Sequence, residues 1–300
     1  MRRLPLVLLA VAMPVFAQAE GLAQSGPTDA GLAAVDSLAA VDAGVPPPPP
    51  VMSVVAPPGV GRHFTFTWDS EGPRPGEADV QLWATPRWGR ADGREAVDVR
   101  AGFVQGLPRR WAAGLFVDAT PSMTGVQQTP GIDGRLTLRL QNWNRVGEHF
   151  AYGSQLEVGA GLKGLSATLL VSGDAWLGPV RLGVNLDGYT ETPWPGSPGS
   201  TFGNATFRQT AGLSYTLANG FSFALELQNR LAWLNGRYEG DAFYFGPSIG
   251  YRGTRFWWSA ALLPQVAALK PEHRRGLGDP LELVANERFS LRVSAGLITH

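Results

Sequence analysis

Histidine, serine and a carboxylate within reach of one another are what a hydrolytic site needs, and the chain offers one such grouping. His149 follows Glu148, with Asn144 five residues before it and Ser154 five residues after it. The grouping falls at an expected strand end, where a solvated turn histidine is the plainer reading. His273 stands beside Arg274 and Arg275 in a loop-like stretch, and His63 and His300 lie in weakly constrained segments. No two of the 4 histidines are within a helical turn of each other, so no histidine metal site is expected. The absence of cysteine removes thiol catalysis, disulfides and thiolate ligands together. Neither HExxH nor a glycine-rich phosphate loop occurs. Glu239-Gly240-Asp241 carries the acidity of a calcium loop, but one short acidic stretch reads as a solvated loop. No catalytic residue, cofactor or metal is therefore expected, and the chain is read as non-enzymatic.

The remaining chemistry is charge on one face of a sheet. Following the alternation described below places Arg100, Arg135, Arg139, Glu157, Arg181, Asp187, Arg208, Glu226, Arg230, Arg288 and Arg292 on a common polar face. Lining an enclosed lumen, such residues would set an ion preference, here mildly for anions. In a narrow barrel they would instead pair off and fill the space.

The elements that must carry these residues are strands. Arg135-Leu136-Thr137-Leu138-Arg139-Leu140-Gln141 puts leucine at every even position and polar groups between. Val180, Leu182, Val184 and Leu186 share a face, as do Phe221, Phe223, Leu225 and Leu227, and Phe289, Leu291, Val293, Ala295 and Leu297. Successive strand side chains point to opposite faces, so each segment has one apolar and one polar side. Strands are expected near 79–88, 95–105, 109–119, 134–143, 149–161, 166–175, 180–190, 204–217, 221–233, 242–252, 254–264 and 286–298. Their length suits a tilted membrane-spanning strand of about 9–11 residues better than a soluble strand.

Two further patterns separate a membrane barrel from a soluble sandwich. Aromatic residues, among them Trp83, Trp88, Trp111, Trp143, Tyr189, Trp233, Tyr238, Phe243 to Phe245 and Trp257-Trp258, gather at strand ends as interfacial girdles would. Connections alternate: 106–108, 144–148, 176–179, 218–220 and 253 are tight, whereas 89–94, 120–133, 191–203, 234–241 and 265–285 are mostly longer. Only 162–165 breaks the rule. Short turns on one side and long loops on the other is an outer-membrane arrangement, with the short turns periplasmic. The expected fold is all-β: a transmembrane antiparallel up-and-down barrel of about 12 strands. Phe64 to Trp68 also alternates but lies outside the even count. It is read as a periplasmic or edge strand, or as a segment tucked into the lumen.

Composition agrees with this reading. Gly is 38 of 300 residues, Trp is 10, and charged residues are only 17%. Lys and Arg number 25 against 25 Asp and Glu, so no basic field argues for nucleic acid. Residues 1–19 read as a Sec-type signal peptide: Arg2-Arg3, an apolar run from Leu4 to Phe16, then Ala17-Gln18-Ala19 before the cut. Residues 20–60 read as a disordered, Ala- and Pro-rich periplasmic linker, with Pro46 to Pro50 favouring an extended rod. The barrel is assigned to 61–300.

Leu82-Trp83-Ala84-Thr85-Pro86-Arg87-Trp88-Gly89, Glu95 to Arg100 and Gly106-Leu107-Pro108-Arg109-Arg110-Trp111 resemble an uncharacterised Gram-negative outer-membrane β-barrel family. That family is similar to porin-like "transporter" barrels of aromatic-degradation gene clusters. Tyr244 to Tyr251 resembles one of its hairpins, and Pro108 stands where the family tends to carry a polar turn residue. The chain also ends Leu297-Ile298-Thr299-His300, without the aromatic last residue common in outer-membrane barrels. The resemblance implies a fold and no chemistry. The expected function is a porin-like channel or binding protein for small solutes in the outer membrane, with lipid and the barrel-assembly machinery as partners. A structural or surface-interaction barrel is the first alternative, and a membrane-embedded lipid hydrolase using His149 the second.

Overall fold

The structure, a computed structural model, describes residues 63–91, 93–124, 129–195, 203–271 and 280–299. The expected signal peptide, nearly all of the linker, His273 and His300 lie outside the described residues. Twelve strands follow in order: β1 (Ala78–Trp88), β2 (Glu95–Leu107), β3 (Trp111–Thr124), β4 (Thr129–Val146), β5 (Phe150–Gly161), β6 (Gly164–Leu177), β7 (Val180–Pro193), β8 (Asn204–Thr216), β9 (Phe221–Leu234), β10 (Arg237–Arg252), β11 (Phe256–Leu269) and β12 (Phe289–Thr299). Each pairs antiparallel with its chain neighbours, and β1 pairs with β12 from Ala78↔Thr299 to Trp88↔Phe289, closing a barrel. Closure leaves no sheet edge with unpaired N–H and C=O groups. It also rules out the edge-strand reading of residues 64–68.

Burial runs opposite to that of a soluble protein. On β4, Leu136, Leu138 and Leu140 point outward, Leu138 being 62% exposed, while Thr137 and Arg139 between them are buried at 2% and 3%. The same holds for Leu225 and Leu227 around Glu226, which is 0% exposed. An apolar surface around a polar interior is stable when hydrocarbon replaces water outside. Interfacial aromatics cluster at both rims. Phe221 packs on Tyr251 at 5.0 Å and on Trp258 at 6.4 Å at one end. Trp88 stacks on Phe289 at 5.6 Å, and Trp233 meets Tyr238 at 5.5 Å, at the other.

Two expectations need correction. Trp83, Trp143, Tyr244 and Trp257 are buried in the lumen rather than in the girdles. Their neighbours in the period-two pattern, not their closeness to strand ends, fix the face they occupy. The contrast of loop lengths is also weaker than the sequence suggested. β3 continues to Thr124, β4 begins at Thr129 and β10 at Arg237, so connections expected over 120–133 and 234–241 shrink to 125–128 and 235–236. The latter is an Asn235-Gly236 turn with φ of 51° and 76°. Strands that rise past the hydrocarbon carry polar residues on both faces, and the alternation that marks them fades. The contrast survives at 89–94, 194–203 and 270–288. The last strand begins at Phe289 rather than 286.

The rim that carries the start of β1 and the end of β12 also carries the turns at 108–110, 147–149, 178–179, 217–220 and 253–255. It is called the terminal rim below, and the opposite end the far rim.

Candidate functional site

Residues 63–73 run inside the barrel, Arg74 and Pro75 are exposed, and Gly76, with φ of 89°, reverses the chain into β1. His63, Phe64, Thr65, Phe66, Thr67 and Ser70 are all buried although none belongs to a strand. A buried backbone needs partners for its N–H groups, and lumen side chains provide them. Glu226 accepts from Thr65 N at 2.8 Å, Phe66 N at 2.8 Å and Thr67 N at 2.7 Å. The Asn185 amide, turned so that its oxygen meets the Trp68 N–H, donates to the Trp68 carbonyl at 3.1 Å. Asp174 accepts from Ser70 N at 2.5 Å. Side chains here replace the partner strand that the segment lacks.

Shape complements these bonds. Gly183 on β7 and Gly212 on β8 are cross-strand partners facing the lumen. A Cβ on either would meet the Phe64 ring, at 2.8 Å and 2.6 Å respectively. The two glycines thus form the slot that admits that ring. Phe66 joins Ala242, Tyr244, Ala261 and Leu263 in a small apolar cluster, with the Arg292 guanidinium 4.4 Å above its ring. Trp68 meets Trp83 edge-on at 4.8 Å, and Arg139 lies 4.6 Å over it.

The start of the inserted segment carries an ionic latch. Arg181 Nη1 donates to His63 Nδ1 at 2.6 Å, and Arg181 Nη2 lies 2.8 Å from Asp174 and 3.2 Å from Asp69. An arginine only donates, so Nδ1 accepts with its lone pair and the ring is neutral. Burial, and next the Arg181 charge, hold the His63 imidazole below its ordinary value. Burial alone would raise the Asp69 carboxyl, but the attraction of Arg181 and His63 overrides it and holds it well below the usual range.

Above this segment, toward the far rim, lies a cavity of about 620 Å³. Phe66 and Trp68 form its floor, and Arg94, Lys163, Asn204 and Asn235 stand at its mouth. Basic side chains outnumber acidic ones along its wall, 8 to 6. Most are paired. Arg100 bridges Asp118 and Glu157, the latter at 3.0 Å. Arg87 pairs with Asp98 at 2.8 Å, Arg135 with Glu191 at 3.1 Å and Arg208 with Asp187 at 2.8 Å. The chain between β11 and β12 also folds inward: Glu282, Asn286 and Glu287 are buried. Glu287 pairs with Arg230 at 2.8 Å, and its carbonyl accepts from Tyr244 Oη at 2.9 Å. Burial would raise the Glu287 carboxyl, but Arg230 and Arg87 pull it below its ordinary value.

The structure places Arg100, Arg135, Glu157, Asp187, Arg208, Arg230 and Arg292 on the cavity wall. Arg139 sits beside the cavity against Glu157, and Arg181 and Glu226 hold the inserted segment. Arg288 is exposed just before β12, where its N–H donates to the Trp88 carbonyl. Sequence reasoning did not single out His63, Asp69 and Asp174 as a latch, nor Glu287 as a lumen group. Asp174 shares the inward register of Ser166 and Ser172 on β6, the one signal that could have found it. His149 is exposed in the turn between β4 and β5. Among the described residues no three His, Cys, Asp or Glu side chains form a group that could hold a metal ion.

With this geometry in place, the class is an outer-membrane type up-and-down barrel. A family model described as a family of unknown function, DUF6662, matches residues 184–298. No curated protein sequence matches the chain. Among solved structures, the chain is similar to the COG4313 outer membrane channel from Pseudomonas putida F1. That similarity has 12% identity and a TM-score of 0.57, over 77% of this chain and 98% of that one. The NanC porin aligns at 11% identity and a TM-score of 0.48, over 73% and 98% of the two chains. The KdgM porin aligns at 8% identity and 0.45, over 74% and 99%. Only the first of these three, with a TM-score above 0.5, bears on the fold.

Proposed function

We propose that this protein is a porin-like outer-membrane channel for small solutes, non-catalytic, closed by its own residues 63–74. The observation that carries the reading is the hydrophilic cavity, which reaches the far rim and is floored by Phe66 and Trp68, residues that belong to no barrel strand. The terminal rim is read as periplasmic, with residues 1–19 as the export signal and 20–60 as a tether leading to the inserted segment. Surrounding lipid and the assembly machinery are the expected partners.

Planar-bilayer recording of the purified protein tests this. The full chain is expected to conduct weakly and intermittently, and variants that loosen residues 63–74 to conduct steadily. Silence from both, with the barrel folded, sinks the channel reading.

A further inference from the structure

Not all of the cavity wall is neutralised. On the β2–β7 side, Arg100, Arg135 and Lys163 each meet a carboxylate, Lys163 reaching Asp133 at 3.4 Å. The β8–β9–β12 side sets two bases face to face and leaves a third, Arg292, without an ion pair. Arg208 and Arg230 are direct cross-strand partners that both face the lumen. Like charges directly opposite repel, so this pairing opposes folding unless something negative lies between. Arg208 uses only Nε, toward Asp187. Arg230 Nε is buried without a partner. Arg292 makes no ion pair among the described residues: it meets the Thr85 hydroxyl at 3.1 Å, the Thr65 carbonyl at 3.4 Å and the Phe66 ring. Glu287, which comes from outside the barrel strands, binds Arg230 at 2.8 Å.

We propose that Arg208, Arg230 and Arg292 form a binding site for a small organic or inorganic oxyanion, a carboxylate or a phosphate, within the cavity. Planar guanidinium forks match both groups in bidentate geometry. The cavity volume lies within the range of small-molecule sites. The inference deepens the channel reading and rests on it for the ligand's route to the site. Glu287 competes with the incoming anion for Arg230, so the loop that carries it sets the affinity.

Calorimetric titration of the full chain in detergent micelles tests this, with succinate, inorganic phosphate and glucose as probes. Saturable binding of succinate, of phosphate or of both is expected, and none of glucose. The two anion arms show whether carboxylate or phosphate is preferred. Arg208→Met should weaken binding at least about tenfold. Arg208 decides the matter because its one bond runs to Asp187, away from residues 63–74. Should that variant fail to fold, Arg208→Lys keeps the charge and should bind several-fold more weakly. Glu287→Gln should bind more tightly than the native chain, a gain that a merely structural role does not predict. Absence of saturable anion binding, or native affinity in the Arg208 variants, overturns the proposal. Bilayer recording separates the two readings: conduction without anion binding removes the site alone, and anion binding without conduction removes the channel alone.

Discussion

The Thr67 N–H donates to Glu226 Oε2 at 2.7 Å across 159 residues of chain, fixing a non-strand segment to the inner wall of the barrel. The same carboxylate takes the Thr65 and Phe66 amides, so one side chain holds three successive backbone donors. Hydrogen bonds to an ionised group contribute about 1.5–3 kcal/mol each. Glu226→Gln keeps the shape, removes the charge and presents one amide donor to the segment. Docking should weaken by about 2–3 kcal/mol, while β9 keeps its ladder with β8 and β10. The check is a raised open probability in bilayers together with unchanged heat-modifiable migration on gels.

Phe64 depends on the absence of a side chain. Gly212→Ala adds a methyl 2.6 Å from two ring carbons, and the stiff β7–β8 backbone leaves the ring to move. Overpacking of this kind costs about 1–3 kcal/mol, felt here by the inserted segment rather than the barrel. Gly188→Ala on β7, where an added Cβ meets nothing within 4 Å, is the control. Tryptophan emission from Trp68 should shift in the first variant and not in the second.

Acid should loosen the latch through His63. Its docked pKa lies below the ordinary 6.5, because burial and Arg181 disfavour the imidazolium. A depressed value means docking is fully supported above pH 6.5 and is lost progressively as pH falls through the docked value. Asp69 is depressed below its ordinary 3.8 and loses its contribution only under stronger acid. The groups around His63 are Arg181, Asp69, Asp174 and Arg252, so the His63 variant is the arm that isolates its share. Open probability should therefore rise between pH 6.5 and about 5, and His63→Gln should flatten the profile.

The outward face has its own test. Leu138 stands 62% exposed near the middle of β4. Leu138→Arg should destabilise the barrel by about 2–4 kcal/mol in bilayers. Thr137→Ser, one residue away and facing inward, should change stability by well under 1 kcal/mol. Urea unfolding from lipid vesicles measures both. Equal effects would show that β4 does not meet lipid with its leucine face.

Strand number, strand order and the face of each residue were readable because they are local properties. Leu136, Leu138 and Leu140 alternate with polar neighbours whatever the rest of the chain does, and an antiparallel hairpin follows from two such runs joined by a tight turn. Period two also assigned Arg181, Glu226 and Arg292 to the interior. It misled where a second rule was preferred to it, as when Trp83 and Trp257 were given to the girdles for standing near strand ends.

The sequence by itself determined a closed, inside-polar barrel, since alternation plus the need to satisfy every backbone group in lipid leaves one solution. Only the tertiary structure decided what occupies the interior. Glu226 reaches Thr67 across 159 residues, and Arg230 reaches Glu287 across 57. No periodicity spans such separations. Which inward carboxylate holds the inserted segment, which arginine is left without an ion pair, and which glycine pair admits Phe64 depend on how the closed wall brings distant strands face to face.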